Sequence, residues 1–135
     1  MYNGIHINKY VKKWLTSDSQ LLELVPRQNM APLMISPTER PIITWAHGPI
    51  EPDYAKCPDG VVVDHVQVGI LIVTNDYEQG VDICARVREI LELQQYNDAD
   101  IHIPLISILD ISEDSVNDSY TQQITLDFEI ESERD

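Results

Sequence analysis

The chain has 135 residues, a length that supports one core burying roughly 65–70% of the surface an unfolded chain exposes, so residues 1–135 are read as a single domain. With 43% hydrophobic and 24% charged residues it has the composition of a folded globular protein rather than a disordered tail. Twenty-three acidic against nine basic residues, formally −14, exclude a surface built to neutralise phosphates, and specific nucleic-acid binding is not expected. No stretch approaches the about 18 apolar residues of a membrane span, and the N-terminal segment lacks the apolar run of a signal peptide. A cytoplasmic protein with no membrane partner is expected.

Taken in chain order, Ile7, Tyr10, Val11, Trp14 and Leu15 recur at helical spacing between Asn8, Lys9, Lys12 and Lys13, predicting an amphipathic helix from Ile5 to about Leu15. Thr16-Ser17-Asp18 offers capping oxygens for a short second helix, which Pro26 stops. Six prolines between Met30 and Pro58 limit strands there to short or edge pieces. The best candidates are Leu33-Met34-Ile35 and Ile42-Ile43-Thr44-Trp45, paired across a Ser36 to Arg40 turn, with His47 to Asp59 as an exposed loop.

Val62, Val66, Val68, Ile70 and Ile72 then alternate along a long strand, interrupted on that face by Asp64. The opposite face is polar at His65 and Gln67 but apolar at Leu71 and Val73, which predicts cover on both sides of its C-terminal half. Asn75 with Glu78 reads as a capping box for a helix whose stripe is Gly80, Ile83, Cys84, Val87, Ile90 and Leu91. Asp82 with Arg86, and Arg88 with Glu92, are opposite-charge i,i+4 pairs on its outer face. After a break at Asn97-Asp98, Ile101 to Ile111 reads as a strand whose phase changes near Leu105-Ile106, the mark of a bulge. An acidic turn from Ser112 to Ser119 leads to a last strand with Tyr120, Ile124, Leu126, Phe128 and Ile130 on one face and a wet opposite face. The predicted fold class is α+β: an antiparallel or mixed β-sheet with the long helix packed on one face and an N-terminal helical segment.

Catalytic and ligand chemistry finds little purchase. His47, Cys57, His65 and His102 are types that zinc accepts, but their spacing makes no compact ligand pair, and ordinary loop and strand roles outweigh a metal site. Cys57 with His65 as nucleophile and base lacks an identifiable oxyanion site. Asp110, Glu113, Asp114 and Asp118 invite calcium, yet lack the regular loop spacing and the twelfth-position Glu, so a solvated turn is the better reading. Five glycines form no phosphate loop. Cys84 lies on an apolar helix face, and two cysteines indicate no disulfide framework. Trp14 is assigned to the core; Trp45 remains open between core and interface. No catalytic, cofactor-binding or metal residue is assigned, and no cofactor is expected.

The run Ser17-Asp18-Ser19-Gln20-Leu21-Leu22-Glu23-Leu24-Val25-Pro26, the strand end Ile72-Val73-Thr74-Asn75-Asp76, the helix with Tyr77-Glu78 and Ala85-Arg86-Val87-Arg88-Glu89-Ile90-Leu91, and the closing Ile124-Thr125-Leu126-Asp127-Phe128 together resemble the tail-completion or tail-terminator (head-tail joining) proteins of long-tailed bacteriophages and prophages. The resemblance spans nearly the whole chain through element order and local pattern, and it departs from the family in the Pro-rich stretch from Ile35 to Asp59. It implies a small tail-terminator-like α+β domain that forms a hexameric ring, caps the tail tube at its head-proximal end and joins it to the connector. The implied partners are further copies of itself, the tail-tube protein and the head-connector protein, with DNA only passing through. Assembly in the host cytoplasm, a place in the virion and no catalytic residues follow from the same resemblance. Six subunits of −14 would carry −84, a charge that lets DNA slide past without sticking. A small acidic adaptor that grips a basic partner is the alternative from a different class.

Overall fold

The computed structural model describes residues 4–33, 40–54, 61–97 and 101–133. One turn of 3-10 helix at Gly4–His6 leads into α1 (Ile7–Thr16), then α2 (Ser19–Leu24), a second 3-10 turn at Arg27–Asn29, and β1 (Met30–Pro32). There follow β2 (Ile42–Asp53), β3 (Val61–Thr74), α3 (Tyr77–Leu91), β4 (Tyr96–Asn97), β5 (His102–Val116) and β6 (Ser119–Glu133). The six strands form one sheet in the order β1-β2-β3-β6-β5-β4, parallel at β1/β2 and antiparallel elsewhere. The fold is therefore α+β with a mixed sheet, as its periodicities predict. No helix among the described residues is long and apolar enough to cross a membrane.

All three α-helices lie over one face of the sheet, and the core is the seam between the layers. The even-numbered residues of β3 and β6 point into it, so Val66, Val68, Ile70 and Ile72 meet Ile124, Leu126, Phe128 and Ile130 beneath Ile83, Val87 and Leu91 of α3. Tyr10, Val11 and Leu15 of α1 close the same core, while Trp14 is half-buried and stacks on Tyr96 at 4.0 Å between ring centroids. Trp45 belongs to the core at 2% exposure, its indole N–H donating to the Asn8 carbonyl at 3.1 Å. Asp64, the polar interruption of the β3 core face, is buried because its Oδ2 accepts from the Gly4 N–H at 3.0 Å. A side chain at Gly4 would bring its Cβ within 2.9 Å of the Val66 methyl, so this approach of chain end to sheet requires glycine.

Several expectations are corrected. On its outer side β2 pairs with Met30–Pro32, in parallel, with Met30 opposite Ile43. Leu33 already turns away at φ 53, whereas Met34, Ile35 and the expected turn residues Ser36–Glu39 lie outside the described residues. The expected loop from His47 is strand as far as Asp53, because β2 follows β3 through a register shift between His47 and Ile50 that absorbs Pro49. Residues 55–60 lie outside the described residues. The α3 cap is Asp76 rather than Asn75, with its side chain accepting from the Glu78 N–H at 3.2 Å. Arg86 does not use Asp82; it reaches Asp18 at 2.6 Å and Glu89 at 2.8 Å, since α2 lies alongside α3. Arg88–Glu92 forms as expected, at 3.0 Å. Leu71 and Val73 are half-buried rather than enclosed on the sheet's second face. Finally, the acidic turn shrinks to Asn117-Asp118, both at positive φ, so Ser112–Val116 is strand paired to β6. That two-residue geometry matches the twist of a hairpin.

Candidate functional site

The three histidines weighed as metal ligands lie apart among the described residues. His47 sits on β2 with its Nδ1 2.6 Å from the Gly48 carbonyl; His65 lies on β3 opposite Glu51 and Glu129; His102 on β5 contacts Glu131 at 2.9 Å. Cys57 lies outside the described residues. Among the described residues no group of three or more His, Cys, Asp or Glu side chains is placed to hold a metal ion. Burial pushes the Cys84 thiol pKa up, with the Glu113 charge adding and Arg88 opposing, which keeps that sulfur protonated and poorly nucleophilic.

The sheet face away from the helices concentrates acid instead. Cross-strand register sets Glu51, His65 and Glu129 in one row and Gln67 with Asp127 in the next, and Pro49, Glu51, His65, Gln67 and Asp127 line a hollow of about 140 Å³. Burial raises the Asp127 carboxyl pKa, His65 pulls it down, and Glu129 and Glu51 raise it further. Such a row of like charges disfavours phosphate and any second acidic face.

The edge strand β5 forms a second surface. β4 covers it only at His102 and Ile103, and the Leu93 N–H donates to the Ile106 carbonyl at 2.9 Å. Beyond that point no strand among the described residues pairs with its outer side, and every residue from Leu109 to Ser115 is exposed. On the helix face a groove of about 220 Å³ opens between β5 and α3, lined by Val81, Cys84, Ala85, Arg88, Ile111, Glu113 and Gln122. Glu113 of this lining is hydrogen-bonded to the Tyr77 hydroxyl, which raises the phenol pKa, and the Tyr77 ring stands edge-on to Tyr120 at 5.8 Å. Neither acidic clustering nor helical periodicity pointed to this groove. The available signal was Asn117-Asp118 between Ser-Val and Ser-Tyr, a tight-turn dipeptide that makes strands of the acidic residues before it.

A third hollow, between α1, α3 and β4, holds the Trp14–Tyr96 stack and the Asp18–Arg86 ion pair. The Tyr96 hydroxyl donates to the Ile90 carbonyl at 3.1 Å, so this region ties α3 to β4 and, through Asp18–Arg86, to the start of α2.

A chain from the virion of a native gene transfer agent particle superposes with a TM-score of 0.70 at 16% identity, over 90% of this chain and 92% of that one. The two chains share a fold. No protein-family model matches the sequence, and no curated protein sequence is similar to it.

Proposed function

We propose that the protein is a structural virion component of a phage or prophage, a tail terminator or head-tail joining subunit that closes into a hexameric ring, caps the tail tube and lets DNA pass. The observation that carries this reading is the near-complete match of fold to a chain of a gene transfer agent virion. The local sequence resemblance to tail-terminator proteins points the same way. The acidic sheet face and the charge of −14 suit a ring through which DNA slides. The reading needs no catalytic group.

Ring contacts are assigned to the sheet edges and to the segments 46–60 and 112–119, of which residues 46–53 belong to β2 and 112–116 to β5. A head-to-tail contact closes when its rotation matches a ring and otherwise runs on as a filament. Because like-charged subunits repel, solution mass by light scattering should rise with salt, which screens charges beyond a Debye length of about 10 Å at 0.1 M. The deciding experiment is deletion of the gene from its phage or prophage: filled heads and separate tails of uncontrolled length are expected. Normal tails with full infectivity would refute the terminator role and favour the acidic adaptor.

A further inference from the structure

The outer edge of β5 is protected only in part: register shifts between His102 and Leu105 and between Ile108 and Asp110, Pro104 and the acidic residues guard it, but no strand among the described residues covers it beyond Ile103. Natural edges are kept short, twisted away or covered, yet β5 is 15 residues long and carries the exposed aliphatic side chains Leu105, Leu109 and Ile111, with Val81 of α3 and Leu93 beside it. The opposite edge shows what protection looks like: β1 covers β2 at Ile43–Trp45, and Pro49 and Pro52 remove amide donors farther along. The groove next to β5 is also chemically unfinished. Gln122 on its floor is 2% exposed, and neither its amide oxygen nor its nitrogen has a hydrogen-bond partner. An unpaired buried amide is costly, and a group entering the groove can supply both a donor and an acceptor.

We propose that β5 and this groove receive an extended, cationic segment of a different protein, which adds as a seventh strand, sets apolar side chains against Val81 and Ile111, and brings an amide to Gln122. The proposal builds on the virion reading, since it supplies a joint between unlike components. Charge selects the occupant. Asp110, Glu113, Asp114 and Asp118 crowd this end of the hairpin, the chain has no Lys or Arg from 89 to 133, and Arg88 at the rim is held by Glu92. A second copy adding as a strand is disfavoured on both sides, because β5 against β5 opposes acid with acid and the β2 edge offers Pro49 and Pro52 in place of amide donors, so ring contacts at these edges pack side chains rather than continue the sheet. Strand addition takes its affinity from backbone hydrogen bonds and its selectivity from the alternate side-chain pockets.

The test uses the full chain and the synthetic peptide Lys-Val-Lys-Asn-Lys-Val-Lys, with a counterpart N-methylated at every internal residue. The counterpart has the same charge and side chains but no internal amide donors. The unmethylated peptide should slow hydrogen exchange of β5 amides between residues 107 and 115, and the methylated one should bind at least about tenfold more weakly. Ile111→Lys, at a position 39% exposed and therefore tolerated by the fold, should abolish the protection while leaving the melting temperature close to the parent's. Equal binding of both peptides, protection on β2 instead of β5, or no protection at about 1 mM peptide would overturn the site. Protection of β5 that grows with protein concentration alone would make a second copy the occupant and overturn the choice of partner. Peptide binding should weaken with salt, opposite to ring closure, so the two readings fail separately.

Discussion

Gly80 and Gln122 form a coupled pair whose energetics can be predicted in sign. Gly80 is buried in the first turns of α3, and a Cβ built there would lie 2.4 Å from Gln122 Oε1 and 2.9 Å from Thr74 Oγ1. Thr74 cannot move freely, because its hydroxyl donates to the Asp76 carbonyl at 2.8 Å. Gly80→Ala therefore gains about 1 kcal/mol of helix propensity but loses about 1–3 kcal/mol to overpacking, a net loss of about 0–2 kcal/mol. Gln122→Ala removes the nearer obstacle and a buried amide without partners. In that background Gly80→Ala should be neutral or stabilising by up to about 1 kcal/mol, so the coupling between the two sites is up to about 3 kcal/mol. Thermal melts of the parent, both single variants and the double variant measure it, at about 3–4 °C per kcal/mol for a chain of this size. Additive shifts, or a stabilising Gly80→Ala in the parent, would refute the packing of α3 on β6.

Leu91 is fully buried whereas Glu92 only pairs with Arg88 at the helix end, so Leu91→Ala should cost about 2–5 kcal/mol and Glu92→Ala at most about 0.5 kcal/mol by chemical denaturation. Similar midpoints for the two would contradict the α3 register. The Arg86 guanidinium hydrogen-bonded to Asp18 holds that carboxyl below its usual 3.8, so its contribution is present above that pH and lost as pH falls through the lower folded value. Asp18→Asn, which keeps the cap to the Leu21 N–H, should thus be less stable at neutral pH and converge with the parent in strong acid. Asp127 behaves oppositely: burial raises its pKa above 3.8, so ionising it costs stability. Asp127→Asn should raise the melting temperature at pH 7, with the gain shrinking as pH falls through the raised folded value and gone below about 3.8, and no gain would show that the acidic row is well solvated.

Within the fold, periodicity was a faithful guide wherever an element has one wet face. The stripe of α1, the alternation of β3 and β6 and the stripe of α3 all follow from the need to bury one side of each element, a requirement written locally in the order of residues. Charge was equally legible, since −14 is a property of composition and already disfavours phosphate-binding roles. Pairing was not. That Met30–Pro32 lies parallel to β2, that Pro49 fits in a shifted register, and that Arg86 chooses Asp18 over Asp82 all depend on residues distant in the chain. The groove beside β5 is of this kind too: Val81, Ile111 and Gln122 sit on three different elements, and only the placement of α3 short of the sheet edge leaves the space between them open. Local order sets which face of each element seeks burial, whereas the surfaces left uncovered are decided by how the elements stack, because exposure depends on every neighbour at once.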